Sequence, residues 1–274
     1  AGMKIAALVP ATDGGDYAID AEGHFWRATA FIPHSYAPAL PTRGSEVYTA
    51  AHCFASFTNA LNGLPASVLK PVLPGFHDLS LRYRQFEDTV KSAHINRLLK
   101  ATHVISELRD RAALVDFYQH MLAHPADYPV RIMHHDCKIS NILFDRATNA
   151  VICPVDLDTV MPGYYFSDLG DMIRSMACTE DENSTAWENI AVNKEYYDTI
   201  IGGYLAGMGS RLTAAEQKNI HKAGLMLSFM QCLRYVTDFL QDDVYYKTTY
   251  PEQNLNRALN QLILLEKLEE VNGE

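Results

Sequence analysis

The spacing of apolar positions changes along the chain, and the change divides it in two. Ile5 to Val9 is a short apolar run. Asp13-Gly14-Gly15 is a turn signal, followed by Tyr17-Ala18-Ile19-Asp20, Glu22-Gly23 and the run Phe25 to Ile32. Aromatic and branched residues between glycine turns predict β-hairpins over residues 5–32. Pro33 and residues 35–43, with two further prolines, read as a connector. Beyond it the period is helical. Val47, Ala51, Phe54, Thr58 and Leu61 share one face, with Ser45 as candidate N-cap and Gly63 as stop. A loop marked by Pro65, Pro71 and Pro74 leads into two helical segments over residues 79–123, closed near Pro125. Residues 130–133 read as a short strand. Ile142 to Asp145 and Val151 to Val155 read as a hairpin turning at Asn149, and helices fill much of 187–270. The pattern predicts an α+β chain: a small β piece over residues 1–35, then a mostly helical body over 36–274.

Composition narrows the function. The chain has 274 residues, and 48% are hydrophobic, enough for a sizeable core. Its net charge of −10, with no Lys/Arg run, argues against nucleic acid and anionic membrane as partners. No stretch of about 18 uncharged apolar residues is present, so no membrane-spanning helix is expected. Ala1-Gly2-Met3-Lys4 does not read as a signal peptide. Five cysteines without CxxC spacing fit reduced thiols, and a cytoplasmic enzyme is the expectation.

The chemistry gathers in His134-His135-Asp136-Cys137-Lys138-Ile139-Ser140-Asn141, with Asp156 fifteen residues further on. Phosphoryl transfer from a nucleotide needs a carboxylate to take the proton of the attacking hydroxyl. It also needs hard oxygen ligands for Mg²⁺ and a cation near the moving group. Asp136 suits the first task; Asn141 and Asp156 suit the second. Lys138 can reach the transferring phosphoryl, and His134 can pin the loop by hydrogen bonds. H-x-D-x-x-x-x-N is the catalytic-loop pattern of kinase-like phosphotransferases, and a hairpin ending in Asp brings the metal carboxylate beside the Asn. The plain alternative is a polar turn whose Asp and Asn cap backbone groups.

The stretch from His134 to Asp145, together with Val155-Asp156-Leu157-Asp158-Thr159-Val160-Met161-Pro162-Gly163, resembles the aminoglycoside phosphotransferase/choline kinase superfamily. The N-acetylhexosamine kinase branch is the nearest likeness. Residues 14–32, 74–86 and 232–247 extend the resemblance over nearly the whole chain. It implies a two-lobed protein-kinase-like fold and ATP- and Mg²⁺-dependent phosphorylation of a small sugar, with the anomeric hydroxyl of an N-acetylhexosamine as acceptor. Aminoglycoside or choline-type acceptors, or a kinase-like module that binds without turnover, are the alternatives. His135 stands where the branch has Asn, and Cys137 where it has Thr. Asp158 reads as a further cofactor ligand or a substrate contact. Asp168 and Asp171, with Arg174, read as support for the loop. Arg234, Asp238, Gln241 and Tyr245 would share a face if their helix ran that far, and with it line the sugar pocket. His77-Asp78 is equally explained as a turn cap. No Gly-rich phosphate loop and no strand lysine are found before residue 33. The resemblance therefore implies that most of the small lobe is missing, and that the surface facing it promotes self-association.

Overall fold

The computed structural model describes residues 4–273. The N-terminal piece is two short antiparallel ladders: β1 (Leu8–Val9) with β4 (Ala28–Thr29), and β2 (Ala18–Ile19) with β3 (Phe25–Trp26). The hairpins expected over 5–32 are present, but each strand is only two residues long. Asp20 organises the second turn by accepting from the Glu22 and His24 amides and from Trp26 Nε1. Leu8, Phe25, Trp26 and Phe31 stay exposed, because no second layer among the described residues covers them.

The connector is more ordered than its prolines suggest. Ser35–Tyr36 forms β5 and pairs with β7 (Ile142–Asp145), which also pairs with β8 (Val151–Pro154). Tyr36 packs on Phe144, with ring centroids 5.7 Å apart. The helix expected to follow a cap at Ser45 begins two residues earlier, as α1 (Gly44–Leu61), with Arg43 at the cap position. Ser45 is not its cap. Instead the buried Glu46 carboxylate reaches back to the Thr42 amide and hydroxyl, at 3.0 and 2.9 Å. Residues 79–123 hold three helices rather than two: α2 (Leu79–Ser92), α3 (Ile95–Asp110) and α4 (Ala113–Ala123). The added break falls at Ala93-His94, where His94 caps α3 through Asn96 N.

β6 (Arg131–Met133) pairs with β9 (Met161–Gly163), and α5 (Tyr165–Met172) follows directly, extended by a wider helical turn over 173–177. Then come α6 (Lys194–Met208), α7 (Ala214–Lys218), α8 (Lys222–Leu240) and α9 (Gln253–Asn272). The buried α8 forms the axis of the body, packed by α2, α3, α5 and α9. Two close helix crossings depend on glycine. A Cβ on Gly170 of α5 would lie 2.3 Å from Ala223 O of α8, and one on Gly203 of α6 would lie 2.6 Å from Tyr48 O of α1. The result is the mostly helical α+β, kinase-like architecture expected. Among the described residues, no helix is long and apolar enough to cross a membrane.

Candidate active site

The loop His134–Asn141 hangs between β6 and β7 and is fixed from below by two carboxylates of α5. Asp168, fully buried, accepts from the His134 amide at 3.0 Å and the His135 amide at 2.8 Å. Asp171 accepts from the Cys137 amide at 2.7 Å and is held by Arg174 at 2.8 Å, which also pairs with Glu182 at 2.9 Å. Burial raises the Asp171 carboxyl, although Arg174 works against it. Asp168 and Asp171 lie three residues apart on α5, one turn of one face. Successive loop amides can meet one carboxylate because His135 is left-handed, with φ +69°. Asn accepts that backbone readily, which accounts for the Asn the resemblance places there. Room for the His135 ring comes from Gly163, where a Cβ would lie 2.4 Å from His135 Cε1.

His134 ties the loop to the strand before Asp156. Asp136 N donates to its Nδ1 at 3.3 Å, so Nε2 carries the hydrogen and donates to Val155 O at 3.0 Å. Its ring sits edge-on to Phe54 and Phe57 and is fully buried. His134 therefore positions the loop by hydrogen bonds and is not a reacting group. Val155 N in turn donates to Asn141 O at 2.9 Å, which sets Asp156 beside Asn141.

Three side chains meet at the reacting edge. Asn141 Nδ2 donates to Asp136 Oδ2 at 2.8 Å and to Asp136 O at 2.9 Å, and Lys138 Nζ lies 3.1 Å from the same Oδ2. Burial works against the Lys138 charge, but Asp136, Asp156 and Asp171 outweigh it and raise the ammonium. With both amide hydrogens of Asn141 occupied, its Oδ1 is left as an acceptor. The Asp156 carboxylate accepts no hydrogen bond among the described residues, and its backbone is left-handed at φ +59°. An amide oxygen and a free carboxylate are the donor set a hard divalent cation takes, so these two residues fit Mg²⁺. Left-handed backbone at a non-glycine residue is costly, and such positions cluster at functional sites. Cys137 is buried and its thiol is pushed well up by desolvation, with Asp168 and Asp171 adding to it, so it is packing and not a nucleophile.

A cavity of about 580 Å³ opens in front of Asp136 and Lys138, lined also by Phe76, His77, Arg234 and Tyr246. The Arg234 guanidinium lies 4.7 Å from the Phe76 ring and 5.4 Å from that of Tyr246. Two sequence expectations need correction here. The helix α8 ends at Leu240, so Tyr245 reaches the same wall from an exposed loop rather than along a helix face. Asp238 is buried, and its oxygens accept from the Tyr245 and Tyr246 amides and from Asn254; it holds that loop in place. Asp158 is exposed and ion-paired with Arg27 of the N-terminal piece. Periodicity did not single out Arg27, nor the pairing of His77 with His135. His135 Nε2 donates to Met161 O at 3.3 Å, so its Nδ1 accepts from His77 Nδ1 at 3.1 Å. Asp78 caps α2 through Leu81 N, as a turn-cap reading anticipated.

Comparison with known proteins bears on the fold and the family. The fold is that of kinase-like phosphotransferases. The chain belongs to the phosphotransferase enzyme family, whose model matches residues 16–210. Among solved structures it is similar to an aminoglycoside phosphotransferase from Alicyclobacillus acidocaldarius, at 17% identity and a TM-score of 0.64 over 98% of this chain and 78% of that one. It is also similar to a microcompartment-associated aminopropanol kinase, at 15% identity and a TM-score of 0.63 over 99% and 77%. A third is a spectinomycin phosphotransferase in complex with ADP and spectinomycin, at 13% identity and a TM-score of 0.55 over 96% and 78%. At these identities the likeness concerns the fold.

Proposed function

We propose that this protein transfers the terminal phosphoryl group of ATP to a hydroxyl of a small sugar, an N-acetylhexosamine at its anomeric position. The observation that carries the reading is the convergence of the Asn141 amide and the Lys138 ammonium on one oxygen of Asp136, facing the cavity. Asp136 takes the proton of the attacking hydroxyl. Its other contacts orient the carboxylate, so the base is held in place before the acceptor arrives. Lys138, one salt bridge away, offsets charge on the phosphoryl as it moves. Asn141 and Asp156 would hold Mg²⁺, which, when bound, neutralises charge on the phosphate oxygens. Phe76, Tyr245 and Tyr246 gather around Arg234 at the cavity wall, and Arg234 offers the acceptor its remaining donors.

A cationic acceptor of the aminoglycoside or amino-alcohol type is the second reading. It is favoured by Glu180 and Asp181, which line the same cavity. A panel of neutral sugars and amino alcohols, assayed for ATP consumption and phosphorylated product, separates the two. Turnover of amino alcohols alone overturns the sugar reading, and acceptor binding without turnover would assign a non-catalytic module. The five free thiols support a reducing, cytoplasmic setting. The exposed side chains of Leu8, Phe25, Trp26 and Phe31 support self-association through the N-terminal face. Sedimentation as a monomer at all accessible concentrations would refute that association.

A further inference from the structure

Arg234 separates the acceptor cavity from a second one of about 470 Å³ and lines both, with Tyr245 and Tyr246. The second cavity's opposite wall is Arg82 of α2. Among the described residues neither arginine has an ion-paired carboxylate. Arg82 donates to Phe76 O at 3.3 and 3.4 Å and to Gln85 Oε1 at 3.0 Å; Arg234 donates to Gln231 Oε1 at 2.7 Å. In this the pair differs from Arg111, Arg131 and Arg174, each of which meets a glutamate or aspartate. Both arginines are half-buried, and both lean on Phe76, one by its carbonyl and the other by its ring.

Two like charges held near one another away from solvent oppose each other unless an anion joins them. The effect registers on Arg82, whose guanidinium is lowered by burial and then by Arg234. The acidic groups on these walls do not fill the role. Asp238 is spent on the 245–246 amides and Asn254, and Asp88 is exposed and paired with Lys91. Among the described residues, the buried hydroxyls of Thr237 and Tyr246, both residues of this cavity, have no hydrogen-bond partner.

We propose that Arg82 and Arg234 form an anion subsite, adjoining the acceptor cavity, for a phosphate or carboxylate group on a small molecule. Guanidinium forks facing one space suit such groups through paired N–H···O bonds. The cavity joins the acceptor site at Arg234, so the group can belong to the acceptor itself or to a separate small anion. The subsite does not depend on the acceptor being a sugar.

The test is calorimetric titration of inorganic phosphate into the whole chain, with sodium chloride fixing ionic strength. Wild type and Asp136→Asn should bind with the same affinity. Arg82→Gln should bind about ten-fold more weakly, the loss of a charge-assisted pair, and Arg82→Lys should recover part of that loss. Circular dichroism and the thermal midpoint show that Arg82→Gln is folded. Repeating the titration with a hexose 6-phosphate and the parent hexose locates the source: tighter binding than either hexose or phosphate alone places the anion on the acceptor, and affinity equal to that of phosphate makes it a separate ligand. Absence of saturable binding in the wild type, or binding that ignores Arg82 and is lost in Lys138→Gln, would overturn the proposal.

Discussion

Replacing Asp168 by asparagine should cost both stability and activity, by an amount the structure allows one to estimate. The carboxylate is fully buried and accepts the His134 and His135 amides at 3.0 and 2.8 Å, with the Thr58 hydroxyl at 3.4 Å. A hydrogen bond to a charged acceptor contributes about 1.5–3 kcal/mol, and a buried donor left without a partner costs about 1–3 kcal/mol. In Asp168→Asn one oxygen remains, while the new NH₂ faces a backbone N–H. One bond is lost and one buried amide is orphaned, which together predict a loss of about 3 kcal/mol. Single domains have about 5–15 kcal/mol in total, so the variant should still fold at 25 °C. At roughly 2–4 °C per kcal/mol, its thermal midpoint should fall by about 6–12 °C. The assay is urea and thermal unfolding of both proteins, followed by phosphate transfer from ATP under conditions where both are folded. Transfer should fall as well, because the left-handed turn at His135 is held by those two amides. A variant within about 0.5 kcal/mol of the parent, with full activity, would refute the claim that this carboxylate anchors the loop.

Other outcomes follow from the same contacts. Gly203→Ala should destabilise by about 1–3 kcal/mol, because its Cβ would meet the Tyr48 carbonyl at 2.6 Å where α6 crosses α1; a urea midpoint unchanged from the parent contradicts that crossing. His77 and His135 are both lowered from 6.5, chiefly by burial, and the charges of Arg234, Arg174 and Arg82 lower His77 further. Depressed folded values mean that only the unfolded chain takes up these protons as pH falls. Stability should therefore be complete above pH 6.5 and decline below it, by up to about 1.4 kcal/mol per group per pH unit; His77→Gln should flatten that decline in urea midpoints measured between pH 7.5 and 5.5. Arg27→Ala removes the exposed pair with Asp158 and should change global stability by less than about 1 kcal/mol, so a large loss on calorimetry would mean that the N-terminal piece is anchored there more firmly than this pair suggests.

How much of this was legible in the sequence depends on how local the signal was. The loop, the hairpin and Asp156 lie within 23 residues, and their spacing alone brings Asn141 beside Asp156. The structure adds the hydrogen bond from Val155 N to Asn141 O that sets the register. The two α5 carboxylates were visible as support, but that Asp168 takes two successive loop amides follows from the left-handed φ of His135, which no spacing reveals. The extra break at Ala93-His94 was missed because neither residue is a strong breaker; a histidine cap is a weak signal. Ser45 was misplaced as a cap because Glu46, one residue on, reaches back to Thr42. The α8 stripe was drawn too long: Gln241 ends the helix, and Tyr245 reaches the pocket because Asp238 gathers the loop behind it. Arg82, in α2 and far along the chain from Arg234, could be joined to it only by tertiary packing.

The central claim is that Asp136 is the base of a phosphoryl transfer. It is tested most directly by following ATP-Mg²⁺ with a panel of N-acetylhexosamines, hexoses and amino alcohols, using the wild type and Asp136→Asn. The account predicts transfer to a sugar by the wild type and a loss of at least about 100-fold in the variant, with nucleotide and acceptor binding retained. Equal turnover by the two proteins would contradict it.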